Sequence, residues 1–148
     1  MSSIQFKDIV VSVRGSWVKG KPPTYACFEA GKFQVCTDKG DGEAPRPMEL
    51  LLVSLAGCMN VVGYTIAQAM GIVIESWEID IEGAYSPERL YTGRGEKAGL
   101  KSIKVKLRVS SPNARGDLER WIKEVERRCP VAGTIIEPTP LEISLESK

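Results

Sequence analysis

Between Pro47 and Met70 the sequence is dominated by apolar positions, and this pattern predicts a long helix. After Glu49 no charged residue occurs until Glu75. Pro47 suits a first helical turn, where its missing N–H costs nothing, and Gly71 suits the residue just past the end. As a helix this stretch would be about 36 Å long, at 1.5 Å per residue.

Apolar residues fall on every side of this predicted helix, so we expect it to be buried all round. In a small protein such a helix needs cover on every face, and a second copy of the chain is a simple source of cover. The alternative for a charge-free run of this length is a membrane span. Four polar residues interrupt the run and favour a water-soluble protein: Ser54, Asn60, Thr65 and Gln68.

The segments before the helix are typical of β-strands. Residues Ile4–Val13 are rich in Ile, Val and Phe and predict a first strand. Residues Thr24–Phe28 and Lys32–Thr37 predict two more, joined as a hairpin across residues 29–31. A turn-rich loop over residues 38–46 then leads into the helix.

After the helix, residues 77–82 alternate apolar with acidic side chains, and residues 103–109 alternate apolar with basic ones. Each pattern predicts a half-buried strand. Because Gly83–Gly99 forms one exposed loop between them, we expect the two strands to lie side by side in an antiparallel sheet. The charges are then explained as a solvated sheet face.

The last third of the chain alternates between helix and strand patterns. Apolar residues at helical spacing predict a second helix over about residues 113–128. Pro130 ends that helix and is suited to open a short one through Thr134. Alternation over residues 141–146 predicts a final strand. Together the patterns predict a two-layer α+β fold, with a single domain over residues 1–148.

Composition narrows the classes of function. The 148 residues are 43% hydrophobic and 26% charged with a net charge of +1. These values are ordinary for a soluble globule and indicate no nucleic-acid partner. The absence of histidine excludes Ser–His and Cys–His nucleophiles and histidine metal sites. The first residues carry Lys7 and Asp8 and no long apolar segment, so we expect no secretory signal and a cytoplasmic protein.

In the cytoplasm the four cysteines should be mostly reduced. They form no C-x-x-C pair, which argues against a zinc site. Cys27 and Cys36 fall in the predicted hairpin, whose register the sequence does not fix. We expect them to be ordinary strand residues that stay reduced.

The other two cysteines are candidates for chemistry. Cys58 lies near the middle of the long helix, and Cys129 precedes Pro130 at a predicted helix start, directly after Arg127 and Arg128. A helix start and neighbouring cations lower the pKa of a thiol. If the two cysteines meet, peroxide can oxidise one to sulfenic acid and the other can resolve it as a disulfide. The alternative is a pair of inert thiols packed in the core.

Two motifs resemble those of one family. RPMELLLVSLAGCM, residues 46–59, is similar to the signature helix of the OsmC/Ohr family, the osmotically inducible and organic hydroperoxide resistance proteins. RCPVAGTI, residues 128–135, resembles the second cysteine motif of that family. The order of predicted elements also matches over nearly the whole chain. The chain looks like a divergent OsmC-like branch of this family.

The resemblance implies an OsmC-like fold, with antiparallel sheets around a long buried central helix in an intertwined homodimer. It also implies a thiol-dependent peroxidase that reduces organic hydroperoxides or hydrogen peroxide in oxidative-stress defence. Carried over, Cys58 is the peroxidatic thiolate and Cys129 the resolving thiol, and an external dithiol reduces the disulfide. Neither a metal nor a cofactor nor a membrane is implied.

The resemblance further implies an arginine that activates the thiolate, held by a glutamate directly after the proline that opens the helix. Here Met48 occupies that position and Glu49 follows it. One residue is a rotation of about 100° on a helix. Arg46 is the arginine closest in sequence, and Arg14 lies on the predicted first strand. We therefore add Glu49 and Arg46 to the candidate catalytic residues.

Two other functions remain open. One is a non-catalytic dimer that binds a small apolar ligand in a pocket lined by Met48, Leu52, Met59 and the loop after Gly83. Met48, in place of the family's glutamate, favours this interpretation, whereas the presence of both Cys58 and Cys129 favours the peroxidase. The other is a structural dimer with inert thiols.

Overall fold

The structure, a computed structural model, describes residues 6–17, 19–40 and 42–147. The chain forms two compact units, Met1–Leu50 and Leu51–Lys148. The predicted α+β class is confirmed, because antiparallel sheets accompany a long helix. The single domain over residues 1–148 remains a prediction.

The first unit contains a three-stranded antiparallel sheet in the order β1-β2-β3, formed by β1 (Val13–Trp17), β2 (Ala26–Ala30) and β3 (Phe33–Thr37). The predicted hairpin is present, but its turn is Gly31-Lys32 rather than residues 29–31. Gly31 has a φ of 62°. Glycine adopts this conformation without a steric penalty. The hairpin therefore has a two-residue turn, which fixes its register.

The prediction of a strand over Ile4–Val13 is wrong for the described part of that range. Residues 6–12 form no strand, while residues 4 and 5 lie outside the described residues. Val13 pairs with Ala30, the last residue of β2. Residues before Val13 therefore extend past the end of the hairpin, where β2 offers them no partner.

The expectation that Cys27 and Cys36 are reduced, ordinary strand residues is also wrong. The two-residue turn pairs Ala30 with Phe33, and this register places Cys27 directly opposite Cys36. Their Cα atoms are 4.1 Å apart, and a disulfide joins the two side chains. The hairpin is thus cross-linked within its ladder.

Removing this cross-link should destabilise the protein. The bond restricts the unfolded chain over a sequence separation of 9. We expect Cys27→Ser combined with Cys36→Ser to lower the free energy of unfolding by about 2–3 kcal/mol. Urea denaturation measures the difference. A dithiol reductant should cause the same loss in the wild type and none in the double variant. Equal stabilities of wild type and variant without reductant would contradict a stabilising bond.

The long helix α1 covers Pro47–Met70, the bounds that the sequence predicts. Its buried residues lie on one side: Leu55, Met59, Gly63, Ile66 and Ala67. On the other side Val53, Val61 and Tyr64 are 63%, 65% and 68% exposed. The expected burial on every side is therefore not achieved within one chain.

Strands β4 (Ser76–Ala84) and β5 (Ser102–Ser110) form a two-stranded antiparallel sheet, as predicted. The acidic row faces the basic row, with Glu78 opposite Arg108 and Asp80 opposite Lys106. The Arg108 guanidinium donates to Glu78 at 2.8 Å and to Asp80 at 2.6 Å on the exposed face. The loop between the strands contains the short helix α2 (Glu88–Thr92).

Helices α3 (Arg115–Arg128) and α4 (Pro130–Ile136) follow, and both agree with the predicted helices. Trp121 of α3 is buried and donates from its indole N–H to the carbonyl of Gly63 in α1, at 2.8 Å. A Cβ at Gly63 would lie 3.1 Å from the Trp121 ring. Glycine at this position therefore allows the close approach that anchors α3 on α1.

The predicted final strand over residues 141–146 is absent from the described structure. Residues 137–147 have no regular structure and pair with neither β4 nor β5. The apolar residues of this segment, Leu141, Ile143 and Leu145, are all exposed. The alternating pattern therefore does not lead to a strand in the described structure, although β4 and β5 each have one unpaired edge.

Among the described residues, α1 is the one helix that is long and apolar enough to cross a membrane. The same length and composition are also found in the core helix of a soluble protein. The helix alone therefore does not distinguish the two alternatives that the sequence raises.

Candidate active site

The structure brings Cys58 of α1 and Cys129 together, although 71 residues separate them. The thiol of Cys129 donates to Cys58 Sγ, and the two sulfur atoms are 3.0 Å apart. Both cysteines are free thiols in this structure. A dithiol with this separation can close to a disulfide with only a small movement.

The two sulfurs differ in their access to solvent. Cys129 is 2% exposed, whereas Cys58 is only half-buried. A small molecule that arrives from solvent therefore reaches Cys58 before it reaches Cys129. The pair therefore consists of one solvent-accessible thiol, Cys58, in contact with one buried thiol, Cys129.

Backbone amides of α4 hold both sulfurs. Cys129 is the N-cap residue of α4, and its Sγ accepts a hydrogen bond from the Ala132 N–H at 3.5 Å. The Val131 N–H donates to Cys58 Sγ. The first turn of α4 thus provides one donor to each sulfur of the pair.

The pKa of the Cys58 thiol is raised above its ordinary value. Burial is the largest cause, because it disfavours the charged thiolate, and the hydrogen bond with Cys129 adds to it. The Val131 N–H acts in the opposite direction and lowers the pKa. Within residues 51–147, the described part of the same unit, no cation contributes. In this structure Cys58 is therefore mainly a neutral thiol at neutral pH.

From the sequence, Arg127 and Arg128 are predicted to provide positive charge next to the Cys129 thiol. The guanidinium of Arg127 forms a surface ion pair with Glu124, at 2.8 Å, and lowers the pKa of that carboxyl. The observed donor to Cys129 Sγ is a backbone amide. The helix start that the sequence predicts is present, but the group that contacts Cys129 Sγ there is the backbone N–H of Ala132 rather than an arginine side chain.

The candidates Glu49 and Arg46 lie in the first unit. The Glu49 carboxylate accepts from the Arg46 backbone N–H at 2.8 Å. This is the contact that the acidic residue makes in a capping box. The Arg46 side chain donates from Nε to the Lys39 carbonyl at 3.1 Å. Arg14 lies in β1, opposite Glu29. The catalytic roles of Glu49 and Arg46 remain predictions.

A cavity of about 210 Å³ lies beside α1 in the second unit. It is lined by Asn60, Tyr64, Ile74, Glu75, Ser76, Trp77 and Trp121. Neither Cys58 nor the residues predicted for an apolar ligand pocket are part of this lining. The sequence did not predict this cavity, because Trp77 and Trp121 come from separate elements.

Comparison with known proteins identifies the class. Residues 40–144, well over half of the chain, match the family model of the OsmC-like proteins. The chain belongs to the OsmC-like protein family, as the two cysteine motifs predicted.

Two relatives are similar in sequence, and both carry the name hydroperoxide reductase. The chain is 29% identical to that of Mycoplasma pneumoniae over 119 residues, which cover 77% of this chain and 80% of the relative. It is 25% identical to that of Mycoplasma genitalium over 116 residues, covering 76% and 79% of the two chains.

A solved structure supports the fold. The crystal structure of an OsmC-like protein from Mycoplasma pneumoniae aligns with a TM-score of 0.76 at 22% identity. The alignment covers 88% of this chain and 89% of that one. The OsmC-like fold of the chain, predicted from the resemblance, is therefore confirmed, and the homodimer remains a prediction.

Proposed function

We propose that the protein is a thiol-dependent hydroperoxide reductase that uses Cys58 and Cys129. The observation that carries the proposal is the 3.0 Å separation of their sulfur atoms. Cys58 is accessible to solvent, and Cys129 is buried next to it. The names of the two Mycoplasma relatives support a peroxide substrate. An organic hydroperoxide or hydrogen peroxide would serve.

The reaction follows from thiol chemistry. The Cys58 thiolate attacks one oxygen of the peroxide, the O–O bond breaks, and the other oxygen leaves as an alcohol or water after it takes a proton. Cys58 is now a sulfenic acid. The Cys129 sulfur attacks Cys58 Sγ, the S–S bond forms, and hydroxide leaves as water. An external dithiol then reduces the disulfide to two thiols, and no metal or cofactor is needed.

The assembly that we propose is a cytoplasmic homodimer, with α1 buried between two copies rather than in a membrane. The exposed side of α1 supports this proposal, since one chain leaves Val53, Val61 and Tyr64 open to solvent. An intertwined dimer would also give partners to the unpaired apolar segments before Val13 and after α4.

One equivalent of hydroperoxide tests the proposed chemistry. Before treatment, peptide mapping should show the Cys27–Cys36 bond alone, and after treatment a Cys58–Cys129 linked peptide should be present as well. The Cys129→Ser variant is the matched control and should yield no such peptide. Recovery of Cys58 as an unmodified thiol from the treated wild type would contradict the proposal.

Activation of Cys58 is expected to need a cation, because burial raises the pKa of its thiol. If Arg46 or Arg14 provides that charge, Arg46→Met or Arg14→Met should slow alkylation of Cys58 at about pH 7 by about tenfold, since a cation within roughly 4–6 Å lowers a thiol pKa by about one unit or more. Iodoacetamide labelling followed by mass spectrometry measures the rate. Arg115→Met, on the exposed surface of α3, is the control. Unchanged rates in both variants would exclude both arginines.

A non-catalytic ligand-binding dimer is the second candidate, and the neutral state of Cys58 favours it. A ligand in the cavity beside Trp77 and Trp121 should change tryptophan fluorescence, and Cys58→Ser should leave that change intact. Ligand binding without any peroxide consumption by the wild type would support this candidate over the reductase.

A further inference from the structure

Helices α3 and α4 are separated by a single residue, Cys129. Its N–H donates to the Val125 carbonyl at 2.9 Å, and its carbonyl accepts from the Gly133 N–H at 2.9 Å. Both are hydrogen bonds with the four-residue spacing of an α-helix. The interruption comes from the backbone of Cys129 itself, which has a ψ of 115° instead of a helical value.

The cause of this interruption is Pro130. The ring of a proline clashes with the preceding residue in the helical conformation and favours the extended one. Cys129 accordingly has φ −75° and ψ 115° between two helices that would otherwise run on. In this conformation its Sγ faces Cys58 at 3.0 Å and is held by the Ala132 N–H.

Proline has a second effect here, because it has no N–H. The first N–H groups that α4 presents are therefore those of Val131 and Ala132. The first donates to Cys58 Sγ and the second to Cys129 Sγ. A residue other than proline at position 130 would add a third donor at the same helix start.

We propose that Pro130 is a positioning residue for the cysteine pair: it keeps Cys129 out of the helix, so that its sulfur faces Cys58, and it leaves one amide donor for each sulfur. That the pair matters for catalysis rests on the proposed function. The role of Pro130 in the geometry of the two thiols does not depend on that function. The inference can therefore be tested without peroxide.

The test uses Pro130→Ala and a reagent that oxidises neighbouring thiols directly. Alanine permits the helical conformation at residue 129 and favours a continuous helix through α3 and α4, which would turn the Cys129 sulfur away. Diamide takes two hydrogens from the two thiols onto its N=N bond, and the S–S bond forms. We expect closure of Cys58–Cys129 to be about tenfold slower or worse, since a misplaced thiol loses the advantage of orientation. Pro138→Ala, in the exposed segment after α4, is the matched control and should close at the wild-type rate.

A second readout separates positioning from a loss of overall structure. The pH midpoint of Cys58 alkylation in Pro130→Ala should fall, because the thiol loses the hydrogen bond with Cys129, which raises its pKa more than the Val131 N–H lowers it. Circular dichroism of the same sample should show at least the wild-type helix content. A folded Pro130→Ala variant with wild-type closure and an unchanged alkylation profile would overturn the proposal.

An amide-to-ester replacement at residue 131 keeps Pro130 and removes only the Val131 N–H. The same replacement at Gly133 removes an amide that bonds the Cys129 carbonyl and is the matched control. We expect the alkylation midpoint to rise for the ester at 131 and to stay near the wild-type value for the ester at 133. Equal midpoints would overturn the role of the amide even if Pro130→Ala failed to fold. If the Pro130→Ala and ester variants behave as expected but the wild type does not consume peroxide, the proposed function is rejected and the positioning role of Pro130 stands.

Discussion

Replacement of Cys58 by serine should abolish peroxide consumption. The thiolate is the nucleophile of the proposed reaction, and a serine hydroxyl at the same position is un-ionised at neutral pH, so we expect turnover to fall by roughly 10³-fold or more. Steady-state consumption of an organic hydroperoxide with a dithiol reductant measures the effect. Retention of the wild-type rate by Cys58→Ser would show that this cysteine is only part of the core.

The other cysteines provide the controls for this result. Cys129→Ser should still react once with peroxide but should turn over slowly, because its sulfenic acid has no neighbouring thiol to resolve it. Cys27→Ser with Cys36→Ser should retain turnover at a temperature where the variant is folded, since the proposed reaction does not use these residues. A loss of activity in this double variant equal to that of Cys58→Ser would mean that the chemistry had been assigned to the wrong pair.

The second large effect concerns assembly. At micromolar concentration, analytical ultracentrifugation should give about twice the 16.2 kDa mass of the chain. The reason is the uncovered side of α1, together with a two-stranded sheet, which is marginal on its own. Apolar residues exposed along one side of a helix mark a site of association in a protein of this size.

A charge on the exposed side of α1 should break the dimer. Val61 is 65% exposed in one chain. Val61→Glu would bury an unpaired carboxylate between two copies, at a cost of several kcal/mol. We expect Val61→Glu to be monomeric or unfolded, whereas Lys123→Glu on the exposed surface of α3 should remain dimeric. A well-folded wild-type monomer at micromolar concentration would contradict the proposed assembly.

The elements that the sequence predicts well are those whose signals are local. Helix α1 begins at Pro47 and ends before Gly71 because proline and glycine mark the two ends directly. The register of β4 and β5 follows from charge, since Glu78 and Asp80 face Arg108 and Lys106.

The elements that the sequence predicts wrongly depend on partners. The apolar residues before Val13 and the alternating residues 141–146 have the composition of strands, but within the described part of one chain neither segment is paired with a strand. The disulfide between Cys27 and Cys36 depends on the length of one turn. A three-residue turn would have moved the two cysteines out of register, so composition alone could not reveal the bond.

The features of the candidate site also differ in whether the sequence could predict them. The pairing of Cys58 with Cys129 could be expected from two motifs, although neither geometry nor spacing in the sequence required it. The amide donors of Val131 and Ala132 could not be read from their side chains, because the contacts come from the backbone. Pro130 was the available signal, since it fixes where the helix starts.

The measurement that tests the proposed role of Cys58 most directly is the intact mass of Cys129→Ser after one equivalent of organic hydroperoxide. Without a resolving thiol, we predict a gain of one oxygen atom, which peptide mapping with a sulfenic-acid probe places on Cys58, and the release of one equivalent of alcohol. An unchanged mass with the hydroperoxide left intact, or an oxygen found elsewhere while Cys58 stays a thiol, would contradict that role.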